Sequence, residues 1–385
     1  MWMGRIESKL ELPALRSQEG AMNRLGRTFQ IVIAVILAGI ALTPIAAAQA
    51  PRENAKVWPY LAGLSGAERK AVLEREARKD GSIVIYGATG LDRGQFWVAE
   101  FNKRYPDIKA DFVRLTAEDM VQRVAAEARA NRSQADLLFQ TINYVNVLSG
   151  LLAPFESIEW SNFDKRFLYG GKDKGWASVV YEIFPMAIAW RTDRIPSASA
   201  PRTLEQLAAG PWRRRVGTTA HIDQLIGGLM VTHGTETKMT PVLEKLAALE
   251  NRMFPTHSAL SDGLASGEVD IVWNLVSSRP ILLKSKGAPV DWAFMDPLYA
   301  ESNALMLLKD TKKPYAAALF YDVMLSAEVQ EASDKWDAGR LFGNRKGKFA
   351  TSIDQLPSLV IYPPISTEDV RKWNMLKEKL FIRRQ

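Results

Sequence analysis

Polar residues that could bind a ligand follow four short apolar runs of this sequence, at the point where each run ends. Thr89 and Gly90 come after the first run, and Thr141 comes after the second. The residues at the ends of the third and fourth runs are Thr218, Thr219, His221, Trp273 and Asn274. Hydroxyl, amide and imidazole groups beside the free N–H groups of a helix start suit an anionic ligand. We therefore expect these loops to form one binding site.

Several of these residues also have a purely structural interpretation. Gly90 and Thr89 could belong to a simple turn between a strand and a helix. A lone histidine such as His221 is more often a hydrogen-bonding loop residue than a ligand. Trp273 could stack on a ligand, but an aromatic residue in a strand is more often part of the core. The sequence leaves both interpretations open.

No catalytic motif accompanies these polar residues. The sequence has no G-x-S-x-G elbow, no H-E-x-x-H zinc motif and no G-x-x-x-x-G-K-[ST] phosphate loop. It contains three histidines and no cysteine, which excludes disulfides, thiolate metal sites and a cysteine nucleophile. We therefore expect a protein without enzymatic activity and without a cofactor, and an exported hydrolase is the alternative.

The elements that must position these residues alternate between strands and helices. The strand-like runs cover residues 82–87, 108–115, 136–140, 215–218 and 269–273. Helical patterns lie between them, for example at 116–131 and 241–251. This alternation predicts a parallel sheet with helices on both faces. Ligands bind beyond the carboxyl ends of the strands of such sheets, which is where the polar residues lie.

Length and charge restrict the function further. At about 100–200 residues per domain, a chain of 385 residues is expected to form two domains. The net charge is +7, but the basic clusters, such as 213–215 and 345–348, are short and lack interleaved aromatic residues. We therefore expect no nucleic acid partner. A mild positive field would help to attract an anionic ligand.

The N-terminal region has the pattern of a secretory signal peptide. Arg24 and Arg27 precede an apolar run at 29–42, and small residues end at Ala50. This order predicts export and cleavage after Ala50. The run is shorter than the roughly 20 residues that span a membrane, although an uncleaved anchor helix is the alternative. Met22 would give the signal peptide a better charged start than Met1.

Short stretches at 81–87, 101–108, 187–193, 264–271, 284–290 and 316–330 occur in a recognisable order along the chain. Their order and spacing, together with the leader, resemble the periplasmic solute-binding proteins of ABC importers (extracellular solute-binding family 1), in the branch that includes ferric-iron binders. The resemblance covers residues from about 67 to 346, and each stretch alone is only weakly specific.

The resemblance implies an α/β fold of the two-lobed periplasmic-binding-protein type II, with two hinge crossovers. Residues 1–50 would form an N-terminal extension and signal peptide, and 51–80 a linker and leading helix. Lobe one would comprise 81–180 plus 303–385, lobe two 191–291, and the crossovers 181–190 and 292–302. The residues placed at the cleft floor, on or beside the crossovers, are Tyr181, Glu182, Glu301 and Ser302.

The resemblance also implies a function. The protein would be a periplasmic monomer that captures a small anionic solute or a metal complex by closing its lobes. It would then deliver the ligand to an ABC permease in the inner membrane. A ligand-sensing module for a membrane receptor is the alternative within the same fold.

Ferric iron is the specific ligand that the resemblance suggests, and the residues argue against its usual binding mode. Ferric binders of the family carry a tyrosine pair after the strand corresponding to 269–273, where this sequence has Leu275 and Val276. Fe³⁺ prefers anionic oxygen donors, which neither residue provides. A different site could be built from Tyr181, Glu182 and His221. An organic anion or a chelated metal is at least as well supported, and the identity of any metal stays open.

Overall fold

The computed structural model describes residues 49–220, 222–232, 236–336, 340–347, 356, 359–361 and 366–382. His221 and residues 1–48 of the predicted N-terminal extension and signal peptide lie outside the described residues. The α-helices within these ranges are α1 (Asn54–Ala62), α2 (Gly66–Asp80), α3 (Leu91–Asn102), α4 (Ala117–Arg129), α5 (Val145–Leu148), α6 (Leu204–Ala209), α7 (Ile222–Thr232), α8 (Glu236–Ala247), α9 (His257–Ser266), α10 (Ser278–Ser285), α11 (Pro314–Leu325), α12 (Ala327–Trp336) and α13 (Thr367–Lys377). The strands are β1 (Ser82–Gly87), β2 (Lys109–Arg114), β3 (Leu137–Thr141), β4 (Leu168–Gly171), β5 (Trp176–Arg191), β6 (Val216–Thr219), β7 (Arg252–Phe254), β8 (Ile271–Val276), β9 (Val290–Phe294), β10 (Tyr299–Leu307), β11 (Leu341–Phe342) and β12 (Val360–Ile361).

Two sheets share the long strand β5. The first sheet has the order β2-β1-β3-β10-β5, in which β1 is parallel to β2 and β3 while β10 is antiparallel to both of its neighbours. The second sheet has the order β5-β8-β6-β7, in which β6 is parallel to both neighbours and β5 is antiparallel to β8. Strands β4 and β11 pair with the first half of β5, and β9 pairs with its second half. The chain thus passes between the sheets along β5 and again between β9 and β10.

Both faces of the sheets are covered, which explains why their strands are continuously apolar. One hydrophobic cluster packs helices such as α3 and α11 onto the first sheet, with Phe101, Phe139 and Phe320 at its centre. A second cluster packs α7 and α8 onto one face of the second sheet around Trp190. A third, smaller cluster packs α9 onto the opposite face through Leu260.

The segment at 51–80, expected to be a linker and a leading helix, is helical over most of its length. Helix α1 buries Val57, Trp58 and Leu61, whose spacing places them on one helical face. Arg52, just before this helix, forms ion pairs with Glu76 and Asp80 of α2. The N-terminal segment is therefore part of the first hydrophobic cluster.

Helix α13 differs from its expected place in lobe one. Its region contributes Trp373, Leu380 and Phe381 to the second cluster, and the ring of Phe381 lies 6.2 Å from that of Trp273. Lys377 forms an ion pair of 3.1 Å with Asp223 at the start of α7. The reason is that the apolar residues of this C-terminal helix pack against apolar residues of α7, a helix that covers the second sheet.

Within the described ranges, no helix combines the length and the hydropathy that crossing a lipid bilayer requires.

Candidate functional site

A cavity of about 600 Å³ is lined by residues from both sheets. Its floor consists of Phe184 on β5 and of Glu301 and Asn303 on β10. The first wall, on the side of the first sheet, consists of Ala88, Thr141, Lys335, Trp336 and Arg340. The second wall, on the side of the second sheet, consists of His257, Val276, Ser278, Arg279, Ile281, Leu282 and Ser285. The two chain passages between the sheets therefore lie under this cavity.

The second wall is positioned by a bulge in β8. Asn274 has a positive φ of 56°, and the pairing of β8 with β5 shifts at this point, so that Trp273 and Asn274 both lie opposite Ile188. The strand therefore continues to Val276 instead of ending at 273, as the sequence suggested. Val276 reaches the cavity, and α10 begins immediately afterwards.

Trp273 and Asn274 are consequently buried inside the second sheet. The Trp273 indole Nε1 donates a hydrogen bond of 2.9 Å to Asn251 Oδ1, and the whole residue has no exposed surface. Asn274 donates a hydrogen bond of 2.9 Å to the Thr219 hydroxyl. Neither residue lines the cavity.

A fully buried carboxylate, Glu182, lies beneath the first wall. Arg93 Nη1 and Arg340 Nη1 approach its Oε2 at 3.1 and 3.5 Å. Its other oxygen, Oε1, accepts hydrogen bonds from the Tyr181 hydroxyl at 3.1 Å and from Asn303 Nδ2 at 2.8 Å. Burial, followed by the nearby charge of Glu182, raises the pKa of Tyr181 well above its ordinary value. Glu182 therefore connects β5, β10, α3 and the segment of Arg340.

Glu301 is the carboxyl group that faces the cavity. Burial, followed by the negative charge of Asp223, raises the pKa of Glu301 to about 7. Within the described residues, its side chain makes no hydrogen bond or ion pair. Near neutral pH, Glu301 can therefore be protonated and donate a hydrogen bond to a ligand.

The cationic groups of the cavity differ in their partners. Arg340 is bound to Glu182, and its guanidinium also lies 4.3 Å from the centre of the Phe184 ring. Arg279 is half-buried at the start of α10, and Lys335 is exposed at the end of α12. Arg279 and Lys335 have no charged partner in the part of the chain that the structure describes. The cavity is therefore more cationic than anionic.

The residues expected from the sequence fall into three groups. Thr141 and Glu301 line the cavity. Thr89 is half-buried and Gly90 exposed at the start of α3, one and two residues beyond the cavity residue Ala88. The buried residues outside the lining are Tyr181, Glu182, Thr218, Thr219, Trp273, Asn274 and Ser302.

Three of these buried residues have polar atoms without a hydrogen-bond partner among the described residues. These atoms are Thr218 Oγ1, Asn274 Oδ1 and Ser302 Oγ. Ser302 neighbours Glu301 on β10, and since side chains alternate along a strand, it points to the other face of the sheet.

The sequence reasoning missed the cationic and aromatic residues of both walls. Arg279 follows the bulged strand by three residues, so a strand end placed at 273 puts it outside the site. Trp336 is the last residue of α12 and Arg340 follows that helix, both far along the chain from the strands β1 and β3. The start of α10 after β8 could have pointed to Arg279, because a helix that starts beyond a strand end directs its N-terminus to the site.

No group of three or more acidic, histidine or cysteine side chains that could hold a metal ion occurs within the described ranges. Tyr181 and Glu182, which were candidates for an unusual metal site, are instead buried and bonded to each other. The described part of the cavity therefore offers mainly cations, hydroxyls and apolar groups to a ligand.

No protein-family model matches this sequence, and no curated protein matches it significantly. Solved structures resemble the fold. The iron-bound HitA from Pseudomonas aeruginosa has 18% identity and a TM-score of 0.61, over 78% of this chain and 99% of that one. The periplasmic binding protein AfuA from Actinobacillus pleuropneumoniae, with fructose-6-phosphate bound, has 19% identity and a TM-score of 0.61, over 78% and 98%.

A third similar structure is the substrate-binding protein PotD of a spermidine/putrescine ABC transporter from Streptococcus pneumoniae. It has 15% identity and a TM-score of 0.63, over 79% of this chain and 99% of that one. These similarities show that the chain has the two-lobed α/β fold of periplasmic binding proteins, which confirms the predicted fold class. They also fit the family resemblance that the short sequence stretches suggested.

Proposed function

We propose that this chain, which has the fold of periplasmic binding proteins, is the substrate-binding component of an ABC importer and is not an enzyme. The position of the cavity is the observation that supports this proposal most directly. Its two walls come from different sheets, and β5 and β10 form its floor. A ligand that touches both walls would favour the closed arrangement, so that binding shifts a hinge equilibrium.

The charge of the cavity supports a small anionic solute as the ligand. Arg279, Lys335 and Arg340 line it, against Glu301 as the acidic group among the lining residues. A metal ion held by an accompanying chelator would present a similar anionic surface. A bare ferric ion is less well supported, because the described residues lack a cluster of anionic oxygen ligands.

We propose a periplasmic location, with the signal peptide cleaved after Ala50. Pro51 would be the first residue of the mature chain, and its carbonyl accepts a hydrogen bond of 2.6 Å from the Tyr315 hydroxyl. The chain directly after the predicted cleavage point is thus attached to the folded body, as Arg52 also is through Glu76 and Asp80. N-terminal sequencing of the exported protein tests this, and a mature chain that retains residues before Pro51 would contradict the cleavage site.

We further propose that the protein acts as a monomer and presents its closed form to an inner-membrane ABC permease. Lobe one would comprise 81–180 and the chain after 303 as far as β12, while lobe two would comprise 191–291 together with α13. The segments 181–190 and 292–302 would be the hinge crossovers. This assignment follows the two sheets and the hydrophobic cluster in which α13 lies.

The test begins with protein purified from its own host. Native mass spectrometry gives the mass of any retained compound, and small-angle scattering compares the radius of gyration with and without that compound. We expect a retained small molecule and a smaller radius in its presence. A saturated protein with an unchanged radius would contradict the closure mechanism, and chemical conversion of the compound would contradict a pure binding function.

A further inference from the structure

Arg279 has the environment of a ligand-binding group. It is half-buried in the second wall, in the first turn of α10, and has no acidic partner within the described residues. A guanidinium removed partly from water without a counter-charge is unfavourable unless a ligand supplies that charge. Its planar donor fork matches a carboxylate or a phosphoryl group, and the helix start adds positive potential.

Large apolar side chains are exposed in both walls of the same cavity. Leu282, one turn after Arg279, is 43% exposed, and Trp336 in the first wall is 42% exposed. Trp336 is held in place, because its ring stacks on Phe96 at a centroid distance of 5.1 Å. Exposed apolar groups rimmed by polar ones commonly mark a surface that a ligand covers.

The other lining residues also provide a large apolar surface with a few polar groups. Ile281, Val276 and Phe184 add apolar surface, while the hydroxyls and the amide come from a few positions such as Ser278 and Asn303. A volume of about 600 Å³ suits a small organic molecule rather than a single inorganic ion. A strongly hydroxylated ligand would leave many of its polar groups facing apolar walls, which is unfavourable.

We propose that the ligand is an organic oxyanion with a flat apolar body. Its carboxylate or phosphoryl group binds Arg279 at the start of α10, and its apolar body lies between Leu282 and Trp336. This inference rests on the proposed function and specifies the ligand class of the same site. Contacts to Arg279 from one side and to Trp336 from the other also give the ligand a hold on both lobes.

The test uses matched probes in isothermal titration calorimetry with the mature protein freed of bound compounds. Phenylacetate and phenyl phosphate combine both features, acetate and inorganic phosphate provide the anionic group alone, and benzyl alcohol provides the ring alone. We expect each aromatic anion to bind at least about tenfold more tightly than its matched inorganic or aliphatic anion, because ring burial adds affinity. Whichever aromatic anion binds more tightly identifies the oxyanion.

Two variants separate the head group from the body. Arg279→Gln should weaken both aromatic anions about 10- to 100-fold, because it removes a charged hydrogen-bonding partner. Trp336→Ala should reduce the preference for phenylacetate over acetate, because it removes one of the two apolar contacts to the ring and keeps the contact of the anionic group with Arg279. The matched controls are Arg166→Gln and Met375→Ala, an exposed arginine and an exposed apolar residue that do not line the cavity. Both controls should bind like the unmodified protein.

Equal affinity for aromatic and simple anions, or unchanged binding by Arg279→Gln, would overturn the inference. The host-purified protein separates this failure from failure of the proposed function. A retained compound that lacks an anionic group, or lacks an apolar body, yet causes compaction would overturn the ligand class and leave the binding function standing. If neither a retained compound nor any probe causes compaction, the proposed function fails and the inference fails with it.

Discussion

The two arginines that line the cavity, Arg340 and Arg279, lie in opposite walls and differ in how their charges are compensated. Arg340 is paired with the buried carboxylate of Glu182, which also binds Arg93, Tyr181 and Asn303. Arg279 has no such partner within the described ranges. A buried charge with a full set of partners holds the structure in place, whereas an uncompensated charge at a cavity is available to a ligand.

The largest expected effect on stability comes from removing Glu182, the carboxylate that compensates the charge of Arg340. Glu182→Ala should lower the free energy of unfolding by about 3–5 kcal/mol, because it leaves the buried Arg93 without this counter-charge. Urea unfolding measures the change. Glu236→Ala is the matched control, since Glu236 and Lys372 form an ion pair whose two side chains are exposed, and it should cost less than about 1 kcal/mol. Equal costs for both variants would remove the distinction between the two environments.

A smaller effect is expected from Glu301, which lies between the two walls. Because its pKa is raised from 4.5 to about 7, the folded state binds the proton more tightly than the unfolded state does. Its contribution to stability therefore falls as the pH rises from about 4.5 to about 7, by at most about 3 kcal/mol. Glu301→Gln should remove this fall, measured by urea unfolding at pH 5 and pH 8.

The neighbouring side chains of Asp223 and His257 are unchanged in that variant, so their contributions are common to both proteins. The quantity to compare is therefore the difference between the two pH values in each protein. The same difference in Glu301→Gln and in the unmodified protein would show that Glu301 is ionised throughout. Anionic ligands should also bind more tightly at pH 6 than at pH 8, because ionised Glu301 repels them.

A substitution of Trp273 tests whether this residue stabilises the second sheet or binds the ligand. Trp273→Phe removes the hydrogen bond to Asn251 and some packing against Phe381, so we expect a loss of about 1–2 kcal/mol in unfolding free energy. Because Trp273 does not line the cavity, ligand affinity in calorimetry should stay within about twofold, less than 0.5 kcal/mol. A large loss of affinity without loss of stability would restore the stacking role that the sequence suggested.

The smallest effect on stability is expected from a substitution of Arg279, whose charge has no partner within the described residues. Arg279→Gln should change the free energy of unfolding of the ligand-free protein by no more than about 0.5 kcal/mol, the range typical of substitutions that break no internal contact. Urea unfolding in ligand-free buffer measures it. A loss of several kcal/mol would show that Arg279 has a structural partner, and the comparison between the two walls would then be wrong.

Local patterns predicted much of the secondary structure. The strand expected at 82–87 has those bounds in the structure, and the helix expected at 116–131 differs by at most two residues at either end. Thr116, read as the start of its helix, caps it by accepting a hydrogen bond of 3.1 Å from the Asp119 N–H. These features depend on neighbours in the sequence, which is why the sequence shows them.

The site was less predictable, because it depends on contacts between distant segments. The bulge at Asn274 is set by the pairing of β8 with β5, and it moves the end of the strand from 273 to 276. Lys335 and Trp336 reach the cavity from the C-terminal end of α12, where the Trp336 ring stacks on Phe96 of α3, and Arg340 follows that helix. No local pattern predicts these contacts. Among the described polar residues chosen after the four apolar runs, Thr141 is the one that lines the cavity.

The sequence alone therefore determined the alternation of strands and helices, the absence of cysteine and of the catalytic motifs named above, and the resemblance that implied two lobes. These are properties of composition, periodicity and order along the chain. The tertiary structure decided which charges are compensated, which aromatic residues are core, and which helix ends face the cavity. Such choices arise only when segments far apart in the chain compete for the same buried partners.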